Sequence, residues 1–367
     1  MSTTFIEIGK YVEKVQTWSP ASTSDEDIVD YIDLSSIDKD KKQIDSELIT
    51  RITSKNAPSR AKQIVNKGDV LIATVRPNLN GVAIVPKELN GAVASTGYCV
   101  LRADGVRLNS LYLFYWSQTS TFISDMMSKA TGATYPAVSD RIIKESKIPL
   151  PPLEEQKRIA AILDKADAIR RKRQEAIKLA DEFLRAVFLD MFGDPLKWDV
   201  NQNNGWAVKP IGEICYLKRG YDLPVQDRNE GQFPIYAANG IVGFHDTSMA
   251  KGPGVITGRS GTLGKVIYTD NDYWPLNTSL YVRDFCGNEP KYIEWFLRIF
   301  QLDRYHRGAG VPTLNRNLFL EELSLNPPLD LQRKFVKTIK KAEAVIEKMS
   351  SNTEDDFFNA LSQNAFS

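Results

Sequence analysis

The chain has 367 residues, 42% hydrophobic and 25% charged, which is room and composition for two or three folded domains. No run approaches the roughly 18 apolar residues of a membrane span, MSTTFIEIGK lacks the layout of a secretory leader, and the isolated Cys99, Cys215 and Cys286 give no disulfide framework or zinc knuckle, so the chain reads as cytoplasmic. A net charge of +1 says nothing for nucleic acid, although a local basic face would be enough to bind it.

In chain order, IGKYV from Ile8 leads to VLIATVRPNLNGVAIV from Val70, two short apolar strands around a turn carrying Arg, Asn and Gly. ASTGYCVLR from Ala94 predicts a further strand, and TGATYP at Thr131–Pro136 a turn. At Pro151 the sequence PPLEEQKRIAAILDKADAIRRKR opens a long helix, its start marked by the Pro pair and by Glu154 and Glu155. Apolar residues then fall mostly three or four apart at Ile159, Leu163, Ala166, Ile169, Ala176, Ala180, Phe183, Val187 and Met191, and FGDP at Phe192–Pro195 ends the helix. At about 1.5 Å per residue this rod is on the order of 55 Å long. The run Arg170–Arg173 reads as a solvated face.

The second half repeats the first. PPLDLQRKFVKTIKKAEAVIEKM starts at Pro327, an offset of 327 − 151 = 176. At that offset Leu153 meets Leu329, Gln156 meets Gln332, Ala166 meets Ala342, and Gly132, Ala133 and Pro136 meet Gly308, Ala309 and Pro312. With gaps, IGEIC from Ile211 echoes IGKYV, GVITGRSGTLGKVIY from Gly254 echoes the strand pair at Val70, and LNTSLYVRD from Leu276 echoes ASTGYCVLR. So long a period means a duplicated domain rather than a solenoid. The expected organisation is α/β (α+β): globular domains over 1–153 and 195–328, a central helix over 154–194, and a C-terminal helix over 329–367. The second helix presents Phe335, Ile339, Ala342, Ile346 and Met349 at helical spacing. These stripes must be buried, most simply against each other as an antiparallel coiled coil, or else each on its own domain.

Catalytic patterns fail on inspection. Asn326-Pro-Pro-Leu329 lacks the aromatic fourth residue of an amino-methyltransferase motif, and no glycine-rich turn for S-adenosylmethionine accompanies it. GRSGTLGK at Gly258–Lys265 has the wrong spacing for a phosphate loop and is followed by Val266. His245 and His306 stand without metal-ligand spacing.

The Pro-Pro-Leu-Glu-Glu-Gln-Lys-Arg-Ile helix start, the helix closing in FGDP, and their second copy resemble the specificity subunit of type I restriction–modification systems, over essentially the whole chain. The resemblance implies two target recognition domains and two conserved helices with pseudo-two-fold symmetry. It further implies a non-catalytic reader of double-stranded DNA that recruits two methyltransferase subunits and, through them, restriction subunits. No cofactor is then bound directly, S-adenosylmethionine being used by the partners, and no membrane is involved. Two readers on a stiff helical pair would contact DNA about one helical turn, roughly 34 Å, apart, giving a bipartite target. The dissimilar turns imply an asymmetric one. Base contacts are expected from turns: Arg76, Asn78, Thr134 and Tyr135 in the first half, and Lys218, Arg219, Tyr221, Arg259, Ser260, His306 and Arg307 in the second. A helical adaptor that reads no DNA is the rival expectation.

Overall fold

The computed structural model describes residues 4–22, 24–197, 205–307, 313–350, 360–362 and 365–366. They form two compact units: the described residues of Met1–Gln174 and Ser351–Ser367 make unit 1, and those of Glu175–Ser350 make unit 2.

Unit 1 begins with β1 (Phe5–Glu7), β2 (Val12–Glu13), β3 (Ile28–Ile32), β4 (Thr50–Thr53), β5 (Ala61–Ile64), β6 (Val70–Ala73), β7 (Val82–Ile84), β8 (Val93–Ser95) and β9 (Tyr98–Ala103). Helices α1 (Ser110–Trp116), α2 (Ser120–Lys129) and α3 (Asp140–Glu145) follow, then β10 (Lys147–Pro149) and α4 (Leu153–Phe192). One sheet has the order β2-β9-β6-β7 and a second β4-β3-β8-β5, with β3 and β8 parallel; β1 pairs with β10. Side chains alternate faces along a strand. Val70, Ile72, Cys99 and Leu101 therefore face a core shared with Tyr112, Leu113 and Trp116 of α1, while Leu71, Tyr98 and Val100 face Ile32 and Ala94 of the other sheet and Val65 just beyond β5.

Unit 2 repeats this plan. It contains β11 (Ala207–Pro210), α5 (Ile211–Ile214), β12 (Tyr216–Arg219), β13 (Phe233–Ala237), β14 (Gly240–His245), β15 (Gly254–Gly258), β16 (Val266–Thr269), β17 (Trp274–Pro275), β18 (Ser279–Asp284) and α6 (Pro290–Ile299). A ribbon of β19 (His306–Arg307) and β20 (Thr313–Leu314), then α7 (Arg316–Leu320), β21 (Leu323–Asn326) and α8 (Leu329–Ser350), complete it. Sheet order β12-β18-β15-β16 matches β2-β9-β6-β7; the parallel pair β13 and β17 matches β3 and β8; and β11 with β21 matches β1 with β10.

The same glutamine fastens each long helix to its unit. Fully buried Gln156 accepts the Asn109 N–H through Oε1 (3.0 Å) and donates through Nε2 to the carbonyls of Arg107 (2.8 Å) and Pro151 (2.9 Å). Gln332, equally buried, accepts the Glu289 N–H (2.9 Å) and donates to Asn288 Oδ1 (2.6 Å) and the Pro327 carbonyl (2.9 Å). Asn109 and Glu289 are the N-caps of α1 and α6, so each hook ties the start of a long helix to the start of the helix beneath it.

Helix α4 runs for 40 residues and ends at Gly193, whose φ of 76° is the left-handed conformation that a terminating glycine supplies. Its start packs Ala160 and Leu163, with Ile159 and Ala166 beside them, into the unit 1 core, where Leu361 and Phe366 also lie. Its end packs Leu184, Phe188 and Phe192 into the unit 2 core against Phe335 and Ile339 of α8, with Ala342 and Ile346 partly buried alongside. The rings of Phe188 and Phe335 meet edge to face at 5.5 Å. Within unit 2 the beginning of α8 thus lies by the end of α4, and within unit 1 Leu361 and Phe366 lie by the beginning of α4. Residues 351–359 of the expected C-terminal helix lie outside the described residues.

The expected apolar stripe is not continuous along α4. Ile169 and Phe183 are 60% and 61% exposed, and the buried positions in the second half are Leu184 and Phe188 instead. Phe183 and Leu184 are adjacent and stand about 100° apart around the helix, and it is Leu184 that packs into the unit 2 core. Phe183 is left on the wet side. Met349, expected in the stripe, is partly exposed. Arg170 and Arg171, expected as part of a solvated run, both pair with buried Asp167, at 2.7 and 3.3 Å.

Candidate nucleic-acid interface

In unit 2 the candidate residues gather at one end of the sheet. Strand β18 starts between β12 and β15: Arg219 is opposite Leu280, and Gly258 opposite Ser279. Arg219 and Arg259 thus flank the same strand from either side. Arg259 is fixed by its backbone, its N–H donating to the Thr278 carbonyl (2.9 Å) and its carbonyl accepting from Leu314 (2.8 Å). Its side chain is fixed too, Nε donating to the Asn277 carbonyl (3.0 Å). The Asn277 amide donates in turn to Asp222, which lies 3.6 Å from Arg219. Partial burial and the Arg219 guanidinium hold Arg259 below the ordinary arginine range. Tyr221 shares a hydrogen bond with Tyr281 (3.0 Å), and the Lys218 ammonium lies 5.4 Å from its ring. Ser260 bridges to Thr313, which brings β19 and β20, with exposed His306 and with Arg307, beside this turn. The Arg307 side chain and Gly308–Pro312 lie outside the described residues. Asp222 and Asn277 carry no motif, and nothing in the sequence singled them out.

In unit 1 the corresponding turn pairs Arg76 with Tyr135. The guanidinium sits 4.5 Å from the exposed ring, and the Arg76 N–H donates to the Pro136 carbonyl (2.6 Å). Arg76 has a φ of 54°, a left-handed conformation that a non-glycine residue rarely adopts and that concentrates at functional sites. Asn78 is exposed in the short helical turn Pro77–Leu79, and Thr134 is exposed beside Tyr135.

The two turns are not in the same register. Ala73 lies opposite Tyr98 as Gly258 lies opposite Ser279, and Val138 donates to Thr74 as Leu314 donates to Arg259. Arg259 therefore occupies the place of Thr74, while Arg76 falls two residues further on, at the place of Gly261. Strand β2 pairs with β9 only at Arg102 and Ala103, the far end, so nothing on it matches the Lys218–Tyr221 turn. The units share a frame and differ where they present cations.

Among the described residues, no group of three or more His, Cys, Asp or Glu could hold a metal, and no helix is long and apolar enough to cross a membrane.

Residues 13–179 and 203–354 each match the type I restriction modification DNA specificity domain. The chain is 30% identical over 207 residues to the MjaIX type I restriction enzyme specificity subunit of Methanocaldococcus jannaschii, covering 53% of this chain and 44% of that one. It is 27% identical over 209 residues to the MjaVIII specificity subunit of the same organism, covering 57% and 45%. The matched stretch is thus less than half the length of either relative. The crystal structure of a type I restriction–modification system S subunit from M. genitalium has the same fold, with a TM-score of 0.65 at 18% identity over 100% of this chain and 96% of that one. With two domain copies matched across most of its length, the chain belongs to the type I restriction modification DNA specificity domain family.

Proposed function

We propose that this chain is the DNA-reading subunit of a type I restriction–modification complex. Each unit grips one half of a bipartite, asymmetric site on double-stranded DNA. The long helices carry the surface for two methyltransferase subunits, and restriction subunits join through these. The chain performs no chemistry itself, and S-adenosylmethionine is bound and used by the methyltransferase partners. The observation that carries this reading is the duplicated sheet whose equivalent ends present different cationic turns. One frame used twice with unlike chemistry is what an asymmetric two-part target requires, since base edges are read by side chains while the frame sets position.

The test is to express the chain with its methyltransferase subunit in a host without adenine methylation and to map N6-methyladenine genome-wide. A single motif of two unlike short halves around an unread spacer is expected. A continuous palindromic motif, or methylation independent of this chain, would overturn the reading. Exchanging residues 1–150 for those of another family member should alter one half only; an unaltered motif would favour a helical adaptor that reads no DNA.

A further inference from the structure

We propose that Arg259 reads a guanine in the half-site gripped by unit 2, with Asn277 and Asp222 holding it in place and Arg219 gripping the adjoining phosphate. This deepens the DNA-reading assignment and rests on it.

An arginine that reads a base must present its guanidinium in a fixed direction, and Arg259 is fixed by three hydrogen bonds to two separate segments. Thr278 and Leu314 hold its backbone from either side, and the Asn277 carbonyl takes its Nε–H. Asn277 is itself braced through Asp222. With Nε occupied, the two terminal nitrogens remain, and among the described residues no carboxylate lies within ion-pair distance of them. They form a fork of donors at the end of the sheet.

The chemistry of the fork selects its target. Guanine presents two acceptors, O6 and N7, on its major-groove edge, whereas adenine presents one acceptor and one donor there, and its amino group would face the arginine N–H groups. Cytosine offers a donor. Two guanidiniums around one carboxylate also leave a net positive charge, which favours an acceptor-rich partner. Arg219 differs from Arg259 in a telling way. Its side chain is 50% exposed and pairs with Asp222 at 3.6 Å, the looser arrangement that suits a phosphate.

The register of the two units makes the assignment specific to one half-site. Unit 1 has Thr74 where unit 2 has Arg259, and its Arg76 lies two residues on, against Tyr135. The same guanine contact cannot recur at the equivalent position of the other half.

The experiment uses the full chain assembled with its methyltransferase subunits. The methylation motif of the wild type is compared with that of Arg259→Lys, which keeps the charge and loses the bidentate fork. The expected result is a wild-type motif with a G·C pair in the half governed by unit 2. In the variant, discrimination at that pair alone falls by roughly 5- to 150-fold, and the other half is unchanged. Should the variant fail to assemble, the wild-type complex is titrated with duplexes carrying 7-deazaguanine at that pair, which removes N7 only. Weakened binding supports the contact. An unchanged motif with uniformly weaker methylation would make Arg259 a phosphate contact and overturn the proposal, as would unaltered affinity for 7-deazaguanine or relaxation in the half governed by unit 1. Failure of the DNA-reading assignment itself would look different, because the wild type would then direct no sequence-defined methylation.

Discussion

Gln156 makes three hydrogen bonds from a site with no solvent access, and Gln156→Ala removes all of them. The Asn109 N–H loses its acceptor, and the Arg107 and Pro151 carbonyls lose a donor. One buried donor left unpaired costs roughly 1–3 kcal/mol. With two carbonyls that lose a donor and the small void left by the side chain, the total is about 3 kcal/mol, or roughly 6–12 °C in the melting temperature of a domain this size. The assay is urea unfolding followed by circular dichroism, with hydrogen exchange of the Asn109 amide and the first turn of α1 to locate the damage. Gln332→Ala should lose a similar amount, with faster exchange at Glu289 and the first turn of α6. Gln156→Glu separates hydrogen bonding from packing, because a carboxylate keeps the acceptor but turns two carbonyls into opposed lone pairs. Burial holds such a carboxyl well above the ordinary glutamate range, so this variant is more stable below its folded pKa and loses that stability as pH rises through it. If both alanine variants unfold within about 0.5 kcal/mol of the wild type, the hook is incidental, and hydrogen bonding does not explain why Gln recurs at this position.

Arg102→Ala strands the Asp69 carboxylate, which is buried beneath β9 and paired with that guanidinium at 2.7 Å; a loss of about 3–5 kcal/mol in urea unfolding is expected, part of it recovered in the double variant with Asp69→Ala. Gly258→Ala drives a Cβ into the Thr262 carbonyl at the end of β15, so about 1–3 kcal/mol of stability should disappear and DNA binding should weaken with it, read by filter binding at matched salt. Lys42 is pulled down to about 8 by burial. Above pH 8 the unfolded chain binds a proton at Lys42 that the folded chain has lost, whereas the buried Cys99 and Cys215 thiols, pushed up by burial, act in the opposite sense; the wild type should therefore gain stability relative to Lys42→Met from pH 8 towards 10, as paired thermal melts would show. Binding of the assembled complex to its site should fall steeply with salt, because phosphate contacts release counterions; a flat salt profile would argue against cationic turns as the DNA surface.

The duplication was legible because the helix starts are under tight constraint. A Pro pair, a first-turn acid and a glutamine three residues after the helix begins recur at one fixed offset, and the structure gives the glutamine its reason. The strand pairs were legible from their apolar runs and turn residues. The face of α4 was not, because Phe183 and Leu184 are both apolar and adjacent, about 100° apart around the helix, and only the position of the unit 2 core decides between them. The anchoring of Arg259 was equally hidden. Asp222, Asn277 and Leu314 come from three separate stretches of chain, and none belongs to a recognisable motif.

The arginine register carries the broader lesson. Matching VRPNLNG to GRSGTLG by letter places Arg76 over Arg259, yet the hydrogen-bond ladder places Thr74 there. Residues two apart stand at most about 6–7 Å apart, the span of a fully extended segment, which reaches up to two base-pair steps. A duplicated reader can therefore shift which base it contacts by moving one arginine along a turn, without altering the sheet, the hook or the helix. The parts that repeat closely, Gln156 with Gln332 and the sheet orders, set where a unit stands. The parts that slip out of register lie where the cations emerge, which is the division a protein needs if its target is to change while its assembly does not.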